Sequence, residues 1–457
     1  MSETKLNQNL NEEQTKLKRT MTLPLVIMFG LAYLAPTVVF NYYGLFETST
    51  KGMYALALII TTIVMVFTAL SYTRMVKAYP VAGSAYTYVA KSVQPHVGFL
   101  AGWLMLLDYI LLPMICYLLL GVYVNTYFPA VPVWLVVVIL AVLGAVINIL
   151  GIKIAGTIDT VITGAAIVFT VLFILVVIHH VVGGGGTGTL ADGTAFFNHN
   201  GAGPKAVLAA SAILCASFLG FDAVTTLAEE TKNPDKVMGK AIMGVVVGAG
   251  IVFVIVAYFA HIAWPDAYLH IKNPNSGIFE LFPQLNGWIG DIFFVVDNCG
   301  SFVCAMTGIS AVSRILYGMG RDNILPKKAF GHLSKKFQTP SFNIILTSVV
   351  AMTAIFYADN VMGAASLVAF GACCGFFLVN LSVIFHYWIK KRERGAIGFF
   401  RNLLFPIIGM GTLIVVFIYM EKSAKILGLI WLGVGIIYLA IKTKGFKELP
   451  PEMSMDE

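Results

Sequence analysis

The chain is expected to be an all-α polytopic membrane protein, and three observations predict this. Apolar stretches of roughly 17 residues or more recur along its 457 residues, each long enough to cross a hydrocarbon core of about 30 Å. A composition of 58% hydrophobic and only 12% charged residues, with a mean hydropathy of +0.84, excludes a soluble globular protein of this length. The basic residues cluster in loops that alternate across those stretches, which is how helical membrane proteins set their orientation.

In chain order, twelve spans are predicted: 23–46, 55–72, 97–127, 133–150, 157–177, 206–229, 241–262, 288–317, 342–357, 361–386, 403–419 and 426–441. The first follows a polar tail, residues 1–22, and has no small-residue cleavage site, so it reads as a retained span. Starting from a cytoplasmic N-terminus, only Lys51, Lys205, Lys272, Lys422 and Lys425 of the 30 basic residues fall outside. This bias puts both termini in the cytoplasm of a cell-membrane protein. It also explains the net charge of +7 without nucleic acid. Residues 181–205 form the longest outside loop, whose Gly183–Gly186 run suggests a flexible connector. No Gly-Lys-Ser/Thr follows it to complete a phosphate loop. The six cysteines all lie in apolar stretches, with neither the spacing of a zinc site nor a place in an outside loop.

Spans one and six run in opposite directions and start five spans apart, so a five-span repeat has to be inverted in the membrane. The two halves are 23–180 and 206–390, followed by two additional spans in 402–442 and a cytoplasmic tail, 443–457. Both spans carry helix breakers. Span one reads Phe29-Gly30-Leu31-Ala32-Tyr33-Leu34-Ala35-Pro36, where Pro36 removes a donor and disfavours helix at Ala35. Span six reads Phe218-Leu219-Gly220-Phe221-Asp222. Gly30 and Gly220 are candidate break positions, or else ordinary close-packing glycines. A carboxylate at membrane depth costs at least about 2.5 kcal/mol, so Asp222 is expected to bind or pair with something. Interrupted helices at that depth persist where they line a cavity. Together these predict a translocation site for a cationic or proton-coupled solute.

Three further motifs give the chain a resemblance. Tyr79-Pro80-Val81-Ala82-Gly83-Ser84-Ala85-Tyr86-Thr87-Tyr88 follows span two. Glu229-Glu230-Thr231-Lys232-Asn233-Pro234 follows span six, and Gly320-Arg321-Asp322-Asn323-Ile324-Leu325-Pro326 follows span eight. These resemble the re-entrant segment, the acidic loop and the Arg-Asp-Gly-x-Leu-Pro loop of the amino acid–polyamine–organocation superfamily, with Asn323 in the place of the last motif's glycine. Within that superfamily, Gly30 to Pro36, Leu107-Asp108-Tyr109 and Ser217 to Leu227 are similar to bacterial putrescine importers. The resemblance implies a LeuT-like fold of five plus five inverted spans with two discontinuous helices and two extra spans. It also implies cation-coupled uptake through a site at the membrane midplane.

The expected substrate-binding residues are Tyr33, Asp108, Tyr109, Phe218, Phe221 and Asp222. Asp222 is suited to an ammonium group and Phe221 to stacking over it. In the resembling fold, span three flanks the site, which brings in Asp108 and Tyr109; Asp108 could instead pair a buried donor. Candidates for proton coupling are Asp222, Glu230, Asp297 and Lys153, each with a structural alternative: a solvated acidic loop for Glu230, a hydrogen-bonding role for Asp297, and an interface anchor for Lys153. The span-one break, Leu31-Ala32-Tyr33-Leu34, is bulkier than the Gly-Ser-Gly common in amino-acid members and leaves less room for a carboxylate. The expected partner is therefore a small cationic solute, putrescine or a related diamine, with an amino acid as the alternative. No cofactor or metal is expected. The coupling ion is expected to be a proton, with sodium open because its sites use oxygens that sequence does not reveal. No His-Glu-x-x-His or Gly-x-Gly-Asp motif suggests an intramembrane enzyme.

Overall fold

The computed structural model describes residues 19–450, apart from 81–83, 200, 275–276, 322, 335, 358–360 and 421. The motif residues Val81-Ala82-Gly83 and Asp322 therefore lie outside the described residues, as do most of the N-terminal tail and the end of the C-terminal one. The described chain is helical throughout, with a single isolated bridge between Met21 and Thr231. Eleven of its helices are long and apolar enough to cross a membrane, and a further apolar segment, Ser341–Tyr357, is shorter. This is a multi-pass membrane protein.

Their outward faces are what a hydrocarbon solvent demands. Span four, Val133–Leu150, exposes Ile139, Val142, Leu143 and Val146 while burying Val137, Ala141 and Asn148. In water such a surface would be an aggregation patch; in lipid it costs nothing. The buried face of Asn148 donates to the carbonyls of Gly144 and Met306, so its amide is not left bare at depth.

Spans five (Ile152–Val182), seven (Pro234–Ala263) and eight (Trp288–Arg321) pack on the first broken helix, and spans two (Tyr54–Ala78), three (Pro95–Tyr127) and ten (Val361–Val383, continuing to Lys390) complete the bundle. Span two packs chiefly on span seven, and span three on spans eight and ten. The short helix Ser84–Ser92 lies on span three, where Gly98 is held against the Ala90 backbone. The last span, Lys422–Lys442, docks through paired tryptophans. Trp103 and Trp431 stack at 4.7 Å, and each indole N–H donates to the other's carbonyl, at 2.9 and 2.8 Å.

The glycine-rich loop expected at 181–205 makes defined contacts. Positive φ at Gly184, Gly186 and Gly188 lets it fold back on span seven. There Thr187 N–H donates to the Ile262 carbonyl at 3.0 Å and the Tyr258 hydroxyl to the Leu190 carbonyl at 2.6 Å.

Candidate functional site

The first helix runs from Leu23 to Leu34 and stops at Ala35, whose φ of 49° and ψ of 92° no helix accommodates. Two short pieces, Val38–Asn41 and Tyr43–Thr50, carry the chain onward. The cause is Pro36, which forces the preceding residue out of the helical region. Gly30, a candidate break position, is not at the break. It lies inside the helix, where a Cβ would stand 2.6 Å from Val245 Cγ2 and 2.7 Å from Val224 Cγ2. It is a close-packing glycine that lets span one approach spans six and seven.

Span six is interrupted differently. Its α-helix, Pro204–Leu214, tightens to a 3-10 turn at Cys215–Phe218, becomes extended at Leu219, and turns at Gly220 with φ 103° and ψ −13°. A second 3-10 segment, Phe221–Glu230, completes it. Gly220 faces the Tyr33 ring so closely that a Cβ there would fall within the ring's van der Waals envelope. The two interruptions thus pack directly on each other.

Asp222 opens the second segment and is fully buried. The Tyr109 hydroxyl donates to its Oδ2 in a short hydrogen bond. The Ala223 N–H donates to the Gly220 carbonyl at 3.0 Å, closing the turn beside the Asp222 carboxylate. Its Oδ1 has no well-formed hydrogen-bond partner. Asp108, one residue before Tyr109, is also fully buried, and neither of its oxygens has a partner among the described residues. It lies near enough to Asp222 for the two charges to be felt mutually. Two unneutralised carboxylates in a medium of low dielectric repel each other strongly, which favours a cation or a proton between them.

Aromatic groups enclose this acid pair. Tyr33 meets Tyr109 edge-on at 6.2 Å. Phe221 packs against Tyr72 at 5.3 Å and Phe376 at 5.1 Å, and Tyr72 meets Tyr88 at 6.2 Å. The hydroxyls of Tyr33 and Tyr88, and that of Ser217, are buried without partners. Sequence singles out neither Tyr72 nor Phe376. Ser217 opens the stretch similar to putrescine importers, and Tyr88 closes the Tyr79–Tyr88 motif, which marks the fold. Tyr72 and Phe376 are aromatics in apolar spans, a pattern too common to signal a site.

The other expected residues are placed elsewhere. Phe218 is buried edge-on against Phe253 of span seven, at 5.4 Å. Asp297 of span eight accepts from Asn41 Nδ2 at 3.1 Å beside Thr37, just past the span-one break. Seven residues further along span eight, Cys304 Sγ donates to the Tyr33 carbonyl at 2.9 Å. Span eight therefore runs along the break without joining Asp297 to the acid pair. Lys153 falls in the helix Ile152–Val182, but its side chain lies outside the described residues.

Glu230 is a buried ion-pair partner and not part of a solvated loop. Arg314 Nε donates to it at 2.6 Å, and Arg314 also bonds Ser310 and lies close to the buried Asp159 of span five. With the Glu230 carbonyl accepting from Met21 N–H at 2.9 Å, this ties the start of span one to spans six and eight at one end. Glu230→Gln is expected to weaken that closure by about 1.5–3 kcal/mol, the worth of a charged hydrogen bond. The check is a thermal-stability series with Arg314→Gln and the double variant, in which the two losses should be less than additive.

Residues 26–430 match the family described as amino acid permease. The low-affinity putrescine importer PlaP of Escherichia coli (strain K12) is 37% identical over 446 residues, covering 97% of both chains. The amino-acid permease RocE of Bacillus subtilis (strain 168) is 27% identical over 419 residues, covering 88% of each. The branched-chain amino acid permease BcaP of the same organism is 23% identical over 471 residues, covering 95% of each.

Proposed function

The chain belongs to the amino acid permease family, and we propose that within it the protein imports putrescine or a related diamine, driven by protons, by alternating access. The observation that carries this reading is the pair of buried acids, Asp108 and Asp222, with three of their four oxygens unpartnered among the described residues, beside tyrosine rings. A solute with two ammonium groups meets both charges at once. Phe221 and the tyrosines supply π-faces for the ammonium groups and apolar walls for the methylenes between them. The similarity to a putrescine importer over 97% of each chain supports the same solute.

An amino-acid substrate would need donors for its carboxylate. At the span-six break Leu219 N–H is bonded to Ala216 and Ala223 N–H to Gly220. At the span-one break Ala35 N–H is bonded to Ala32 and Val38 N–H to Ala35. That favours the diamine. Membrane insertion with both termini cytoplasmic, two inverted halves at 23–180 and 206–390, and a proton as coupling ion complete the proposal. Asp222 and Asp108 are its binding acids, and Asp222 and Asp297 the acids at which a proton would be exchanged.

The test is uptake of labelled putrescine into proteoliposomes under an imposed proton gradient. The expected result is saturable, gradient-dependent uptake that cadaverine competes for and neutral amino acids do not. Uptake blocked by an ordinary amino acid would overturn the diamine assignment, and uptake driven by sodium alone would overturn the proton.

A further inference from the structure

Another buried acid lies on the other side of the span-one break. Glu47 is in Tyr43–Thr50, the part of span one beyond the break, and is 0% exposed. Its Oε1 lies 2.7 Å from Nδ1 of His261 at the end of span seven, itself 1% exposed. The other ring nitrogen, Nε2, lies 3.0 Å from the Thr194 hydroxyl in the glycine-rich loop. Thr194 Oγ1 in turn donates to Asp192 Oδ1 at 2.8 Å, and Thr194 N–H donates to the same oxygen at 2.7 Å.

The hydrogens in this chain can be counted. Asp192, partly exposed and accepting two bonds on one oxygen, acts as a carboxylate. The single hydroxyl hydrogen of Thr194 is therefore spent on it, and Thr194 accepts from His261, so Nε2 carries a hydrogen. A second hydrogen must lie between Nδ1 and Glu47 Oε1. Without it, a ring lone pair would face a carboxylate at 2.7 Å in a buried medium. The pair thus holds one proton more than a carboxylate with a neutral imidazole, and it is neutral as a whole, which its burial demands.

We propose that Glu47 and His261 form a proton-binding site, apart from the Asp108–Asp222 pair, that latches the half-helix beyond the span-one break to span seven and the glycine-rich loop. The proton reaches it by way of Thr194, which is exposed. A proton from solvent taken at Nε2 through the Thr194 hydroxyl balances the one Nδ1 shares with Glu47. On release, the single Thr194 hydroxyl hydrogen has to serve either Asp192 or Nε2, so one hydrogen bond of the chain is lost and the latch weakens. The described titratable groups facing it are Tyr43 and Tyr54 toward Glu47, Asp192 through Thr194, and Tyr258 one turn back on span seven, whose hydroxyl accepts from Asp192 N–H. None of them is a cation that could neutralise Glu47 instead. The same segment is held by Asn198 on the Lys51 carbonyl at 3.0 Å and Ala202 N–H on that of Thr50 at 3.2 Å, so the latch reinforces a contact already formed. The inference does not depend on which solute is carried.

Nitrogen-15 spectra of the histidine rings in the full-length protein in nanodiscs, near neutral pH, test it. One imidazole with hydrogen on both nitrogens, or sharing one with a carboxylate, is expected, and His261→Gln should remove that signal. Glu47→Gln should convert it to an ordinary neutral ring. A wild-type spectrum in which every imidazole has a bare, unshared nitrogen would overturn the proposal even if neither variant folds. Hydrogen–deuterium exchange gives the second readout. Protection of residues 43–50 should be lower in Glu47→Gln than in the wild type. Equal protection in wild type and variant would equally reject it.

Discussion

Asp222→Asn is expected to cut putrescine uptake by about 10–100-fold while leaving the protein folded in the membrane. The estimate comes from the loss of one charge-assisted contact with an ammonium group, about 1.5–3 kcal/mol, at tenfold per 1.4 kcal/mol. The amide keeps an acceptor for the Tyr109 hydroxyl, so the fold contact of Oδ2 survives while the charge does not. Two controls separate binding from structure. Tyr109→Phe removes the donor to Asp222 but no charge, so it should reduce uptake less than Asp222→Asn. Asp108→Asn should raise KM for the diamine, because its oxygens have no protein partner to lose. Measured in proteoliposomes at matched reconstitution, wild-type uptake by Asp222→Asn would remove Asp222 from the binding site.

The second large effect is expected at Gly220. Gly220→Ala meets two costs at once. Its φ of 103° disfavours any side chain, worth about 1–2 kcal/mol, and its Cβ would intrude on the Tyr33 ring, with overpacking worth about 1–3 kcal/mol more. The sum, about 2–5 kcal/mol, is large enough to lower the melting temperature markedly and to push Tyr33 away from Tyr109. Gly220→Ala combined with Tyr33→Ala removes the clash but not the backbone strain, so it should recover part of the stability and none of the transport. A Gly220→Ala protein with wild-type melting and uptake would mean that the two breaks do not need to touch.

The spans were legible because each is a local property: a run of apolar residues must be helical in lipid to satisfy its own backbone. The break before Pro36 was legible for the same reason, since proline acts on its immediate neighbour. Gly30 and Gly220 show where local reading stops. Both are glycines in apolar sequence, yet one packs inside an unbroken helix and the other turns the chain at positive φ. The difference lies in what stands opposite, valines on spans six and seven for the first and the Tyr33 ring for the second. Glu230 was open between a solvated loop and a working acid, and became an ion-pair partner of Arg314, 84 residues away. Tyr72 and Tyr88 were passed over because an aromatic in a span has no distinguishing neighbour in sequence.

What the sequence determined alone is the class of molecule: helices enough for a multi-pass membrane protein, an interruption in span one and a carboxylate at depth in span six. These follow from hydrophobicity and backbone chemistry, which act over a few residues. Only the tertiary structure decided which acids meet which partners. Tyr109 reaches Asp222 across 113 residues and Glu47 reaches His261 across 214. Such pairings are selected by how whole helices pack, because at membrane depth a buried charge is tolerated only where packing delivers a hydrogen, a counter-charge or a solute to it.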